Sequence, residues 1–149
     1  MKNLVSEISL KYESKVKSAD RELIRDSQSS EKIFRSIERY NANMQMFECF
    51  YCMFLNRANK VLSIMLISEG GTAGTVADIK KILMPAILQN CSGIIVSHNH
   101  PSGSNKPSQT DIDLTKNIKD AAKLIDVNLL DHLILCENSY YSFADEGLL

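Results

Sequence analysis

At 149 residues the chain is long enough for one compact domain with a single substantial core. Its composition, 44% hydrophobic and 23% charged, is that of an ordinary globular fold. With 17 Lys and Arg against 18 Asp and Glu, the formal net charge of -1 gives neither nucleic acid nor an anionic membrane electrostatic support as the main partner.

No segment reaches the roughly 18 consecutive apolar residues of a membrane span. The opening MKNLVSEISLKYE breaks its apolar positions with charges and holds no signal-peptide core. A cytoplasmic protein without membrane contact is the resulting expectation.

In chain order, Ile8, Leu10 and Tyr12 alternate with Ser9, Lys11 and Glu13, the period of a half-exposed edge strand or arm. Such a strand could add to the sheet edge of a second copy, which would make a homodimer. Residues 19–30 are polar and read as a loop. Ile33, Phe34 and Ile37 form one stripe of a helix predicted over about residues 30–40. The apolar runs 47–55 and 61–68 flank Asn56-Arg57-Ala58-Asn59-Lys60 and predict a hairpin with that loop. Gly70, Gly71 and Gly74 mark a turn. Thr75 and Asp78 then signal a helix start before Ile79, Ile82, Leu83, Ala86 and Ile87, with Pro85 expected to kink the helix or shift its end. Ile94-Ile95-Val96, apolar on both faces, suits the buried centre of a parallel sheet. A loop follows, then a helix from near Ser108 with Leu114, Ile118, Ala121, Ala122 and Ile125 buried, a strand over 127–135 and a last short strand over 140–143. Strands alternating with helices, plus one hairpin, predict an α/β fold: a mixed sheet, α+β in its hairpin part, with helices packed on it.

Cys49 and Cys52 form a C-x-x-C, a pattern that elsewhere marks redox or zinc sites. Here it lies in the run FECFYCMFL, where residues three apart point to opposite strand faces. The pair is expected to be buried small hydrophobes.

His98 and His100 close a buried strand, and positions i and i+2 face the same way, so both imidazoles can reach one ion. Asp111, in the first turn of the next helix, is the natural third ligand of a zinc site that keeps a fourth position for water. The spacing alone leaves an alternative open, because Ser108-x-x-Asp111 after Pro107 also has the form of a helix capping box. Glu48 is a second anomaly. It shares strand parity with Phe50, Cys52 and Phe54, where a carboxylate is expensive to bury unless paired or in use; the alternative is a strand that starts after Glu48 and leaves it solvated. Glu69 is a rival carboxylate in a turn that favours solvation. His132 reads as a buried histidine with a satisfied hydrogen bond, and Ser97 and Asn99 as supports that bond the loop.

Glu48, then His98-Asn99-His100, seven residues, Ser108, two residues and Asp111, resembles the JAMM signature of MPN-domain (JAB) metallopeptidases. FLNRANK at 54–60, SHNHPSG at 97–103, LDHLI at 130–134 and YSFADEGLL at 141–149 resemble the bacterial RadC family, over about residue 20 to the end. The resemblance implies a cytidine-deaminase-like layered sheet flanked by helices, in a domain over 29–149 preceded by a strand or arm over 1–28. It is to the stand-alone form, without the helix-hairpin-helix module that RadC proteins usually carry. It further implies that His98, His100 and Asp111 hold one catalytic zinc ion, that Glu48 is the general base and that Ser108 donates to the oxyanion. The activity implied is a zinc-dependent hydrolase, a metallopeptidase or isopeptidase acting on a peptide or protein. The competing reading is a DNA-repair or mobile-element accessory protein that keeps the metal without proteolysis. Zinc deaminases use H-x-E and P-C-x-x-C, and neither pattern occurs.

Overall fold

The computed structural model describes residues 5–70 and 77–149. Among them lie α1 (Ser27–Arg35), α2 (Glu38–Ala42), β1 (Cys49–Leu55), β2 (Val61–Glu69), α3 (Ile79–Leu88), β3 (Gly93–Asn99), α4 (Gln109–Lys123), β4 (Asn128–Leu135) and β5 (Tyr140–Ser142). The strands form one sheet in the order β2-β1-β3-β4-β5. Only β3 and β4 run parallel, joined through α4; the other neighbours are antiparallel. This is the expected mixed sheet, with the 56–60 loop closing the β1–β2 hairpin.

β1 and β3 are buried along their whole length, because both sheet faces are covered. On one face Phe50, Cys52, Phe54, Ile94 and Val96 pack with Ile82 and Ala86 of α3 and Ile118 and Ala122 of α4. On the other, Cys49, Tyr51, Met53, Leu55 and Ile95 pack with Phe34 and Tyr40. Cys49 and Cys52 thus lie on opposite faces, as strand parity requires. All four cysteines are free and buried, and desolvation pushes the Cys49 and Cys91 thiols up to about 11, which leaves them protonated and unreactive.

Two sequence expectations are corrected. The helix predicted over about 30–40 is two helices, because Ser36 caps α1 and Ile37 is extended. Phe34 and Tyr40 would sit roughly 120° apart on one continuous helix. The break lets both bury completely and meet edge to face at 6.3 Å. The strand expected at residues 8–13 is absent: this stretch pairs with nothing among the described residues, and Ile8 and Leu10 are exposed. Alternation forms a strand only where one face has something to cover. Sheet-like pairing begins at Leu23, bridged to Lys60.

α3 starts as expected, with the Asp78 carboxylate accepting from Lys80 N, while Thr75, Gly71 and Gly74 lie outside the described residues. Pro85 is carried inside α3, which ends at Leu88. No helix among the described residues is long and apolar enough to cross a membrane.

Candidate metal centre

The C-terminal end of β3 and the N-terminal end of α4 meet on the α3/α4 side of the sheet, the kind of strand-end crevice where α/β sheets bind ligands. His98 lies in β3, buried and stacked on Phe50, its neighbour in β1, with ring centroids 6.0 Å apart. His100 follows one residue past the strand, tied to the sheet by its N–H donating to Leu135 O at 3.0 Å. Asp111 occupies the third position of α4.

Their side chains converge. His98 Nε2 is 2.9 Å from His100 Nε2 and 3.1 Å from Asp111 Oδ1, and His100 Nε2 is 3.4 Å from Asp111 Oδ2. The Nδ1 atom of His100 faces the Ser104 carbonyl at 2.7 Å. A carbonyl only accepts, so Nδ1 carries the hydrogen and Nε2 of the neutral ring turns its lone pair to the centre. Two imidazoles and a carboxylate are a donor set suited to zinc, and these separations bracket the roughly 3.3 Å expected between ligands in a tetrahedral shell of 2.0–2.1 Å bonds. The residues fit the ion. His98 is buried while His100 and Asp111 are partly exposed, so the centre opens to solvent on one side.

Electrostatics tie the three together in the metal-free protein. Hydrogen bonding to Asp111 raises His100 above the usual imidazole range against its burial, helped by the Ser104 carbonyl and the charges of Asp111 and Glu48. Burial pushes the Asp111 carboxyl up, but the His100 and His98 rings and the Ser108 hydroxyl beside it outweigh that and hold the group far below the usual carboxylate range. Stabilisation from a raised histidine is complete below its unfolded pKa of about 6.5 and fades as pH rises through the folded value. Zinc needs the unprotonated ring, so its stabilisation grows over that same interval. We expect the metal-free melting temperature to fall relative to His100→Gln as pH rises above about 6.5, while the increment from a fixed zinc concentration rises. A zinc increment that shrinks with rising pH would contradict this.

Ser108 is the N-cap of α4 in a complete capping box. Its hydroxyl oxygen accepts from Asp111 N at 3.1 Å and its hydrogen points to Asp111 Oδ2 at 2.7 Å. Helix capping and the approach to the histidines are therefore joined in one turn, because Asp111 serves the box through Oδ2 and still faces both rings.

Glu48 stands just ahead of β1, half-buried, its carbonyl accepting from Gly70 N at 2.9 Å. The strand does start after it, yet it is not left in open solvent. Phe50 lies opposite His98, and continuing that antiparallel register by two residues brings Glu48 opposite His100. Its charge reaches His100, as noted. Glu69, by contrast, is engaged by the Arg39 guanidinium at 2.5 and 3.3 Å.

Ser97 and Asn99 point to the other face. Ser97 Oγ meets Tyr40 OH at 2.9 Å. Asn99 Oδ1 accepts from Cys49 N at 2.7 Å, and its Nδ2 donates to Met44 O and Phe47 O, each at 2.9 Å. The residues on either side of Glu48 are thereby held by one buried amide. The polar neighbours missed in the sequence are Thr115 and the partner choice of His132: His132 Nε2 lies 2.8 Å from His98 Nδ1, and its Nδ1 lies 2.6 Å from Thr115 Oγ1. A threonine at 115, in step with the buried Ile118 and Ala122, was the available signal for this.

A sheet of this order with a His-x-His strand end facing a capped aspartate is the architecture of a JAB domain. The chain belongs to the RadC-like JAB domain family, whose model matches residues 27–148. It is similar to a UPF0758 protein of Flavobacterium johnsoniae, 48% identical over 101 residues covering 68% of this chain and 44% of that protein. A UPF0758 protein of Porphyromonas gingivalis is 40% identical over 130 residues, 87% of this chain and 56% of its own length. One from Thiobacillus denitrificans is 36% identical over 124 residues, 83% of this chain and 55% of its own. The chain spans about half the length of these relatives.

Proposed function

We propose that the domain is a zinc-dependent hydrolase that cleaves an amide bond, in a peptide or an isopeptide, with water as the nucleophile. The observation that carries this reading is the convergence of His98 Nε2, His100 Nε2 and the Asp111 carboxylate in a centre open on one side, with Glu48 in register beside His100. Zinc held there would acidify water and polarise the scissile carbonyl.

The remaining chemistry falls to the chain. Glu48 accepts a proton from the attacking water as the new C–O bond forms, and returns it to the leaving amine as the C–N bond breaks. The Ser108 hydroxyl caps α4 through an oxygen lone pair and donates through its hydrogen. The two duties use different parts of one group, so a turn of the hydroxyl hydrogen from Asp111 toward the substrate oxygen leaves the cap intact. That donor would stabilise the charge growing on the carbonyl oxygen.

The test is a peptide and isopeptide cleavage screen with zinc-loaded protein and Glu48→Gln as control. The variant should lose on the order of 10²–10⁴ in rate, the usual share of general acid–base catalysis, while binding zinc like the parent. Cleavage that survives both Glu48→Gln and chelation of zinc would overturn the assignment.

A further inference from the structure

His98 can bind a metal through Nε2 only if its single ring hydrogen sits on Nδ1, and the hydrogen bonds behind the site determine where it sits. The Thr115 hydroxyl donates to the Asp111 carbonyl one turn back at 2.6 Å, which uses its only hydrogen. Toward His132 Nδ1, 2.6 Å away, Thr115 Oγ1 can therefore only accept, so His132 carries its hydrogen on Nδ1. The Nε2 atom of His132 is left as an acceptor, and it faces His98 Nδ1 at 2.8 Å. That places the His98 hydrogen on Nδ1 and its lone pair on Nε2, toward His100 and Asp111.

The backbone is built to deliver this contact. A bulge in β4 shifts its register against β3 between Ile94 and Ile95, whose partners are Leu129 and Asp131. Leu129 and Leu133 share strand parity yet pack in opposite cores. The extra residue thus turns His132 onto the side of the sheet that carries the site, a known use of bulges. Leu130 fills the space over Gly93, where an added Cβ would approach its Cδ1 to 2.8 Å. Phe143 then stacks on the His132 ring at 4.8 Å and donates its N–H to His132 O at 3.0 Å, fixing the imidazole plane.

We propose that Thr115 and His132 are positioning residues that lock His98 in the tautomer able to bind metal, through a one-way chain of hydrogen bonds ending on the Asp111 carbonyl. The chain starts and finishes on ligand residues, so α4 orients Asp111 and His98 together. The inference rests on His98 being a ligand and names what prepares it.

The test compares Thr115→Val, Thr115→Ser and the parent by chelator competition for zinc. It also records long-range proton–nitrogen NMR correlations of the histidine rings in the metal-free parent at pH 8. Thr115→Val should bind zinc about 10–100-fold more weakly, the usual cost of losing an outer partner of a ligand, and Thr115→Ser should stay within about threefold because the hydroxyl is kept. The NMR pattern should show Nδ1–H rings for His98 and His132. A Thr115→Val affinity equal to the parent, an equal loss in valine and serine variants, or an Nε2–H ring at either histidine overturns the relay while leaving the zinc site standing. Failure of the parent itself to bind zinc overturns both.

Discussion

Replacing Asn99 by aspartate is expected to destabilise the fold by on the order of 3–6 kcal/mol, because one buried amide serves three backbone groups. Asn99 is fully buried, and its NH₂ donates to the carbonyls of Met44 and Phe47 while its oxygen accepts from Cys49 N. Aspartate keeps the acceptor but loses both donations. The buried Met44 carbonyl and the partly buried Phe47 carbonyl lose their donor at about 1–3 kcal/mol each, and a carboxylate oxygen is turned toward them. Against a total stability of about 5–15 kcal/mol this is a large fraction. For a domain of this size it should lower the melting temperature by roughly 10–20 °C. Urea denaturation of the metal-free protein measures it, and a loss below about 1 kcal/mol would mean that the amide is not the clamp described. Because the clamp flanks Glu48, the milder Asn99→Ser should also lower hydrolytic rate more than zinc affinity.

The second large effect is on the metal. Asp111→Ala should weaken zinc binding well beyond the roughly 10–100-fold of an outer partner, because it removes a direct ligand. The same change opens the capping box, whose loss costs about 1 kcal/mol of helix stability. The two losses separate in one experiment: calorimetric zinc titration reports the first, and the metal-free melting temperature reports the second. Asp111→Ala binding zinc as tightly as the parent would leave Asp111 as a cap and nothing more.

Much of this was legible in the residues, for definite reasons. The convergence of the His98 and His100 side chains was legible because period-two alternation needs only a regular strand, and β3 is regular. The hairpin and the buried parallel strand follow from apolar runs of strand length. Ser108 and Asp111 illustrate a false choice: cap and ligand support looked exclusive in one dimension, and the structure gives Asp111 enough oxygen sites for both. His132 was legible only as a satisfied core histidine. Its partner depends on the β4 bulge, and a parity argument cannot see an inserted residue. The α1–α2 break was hidden because no proline or glycine marks it; it arises from the need to bury both Phe34 and Tyr40. The strand at residues 8–13 failed in the opposite way, with a good local pattern and no strand partner among the described residues.

We propose that His98, His100 and Asp111, and not the cysteines, hold a single zinc ion. Zinc-edge X-ray absorption on protein titrated to saturation tests it most directly. One zinc per chain is expected, with nitrogen and oxygen neighbours only, at about 2.0–2.2 Å, and an imidazole signature that His98→Ala abolishes. A sulfur neighbour at about 2.3 Å, or zinc retained unchanged by His98→Ala, would contradict it.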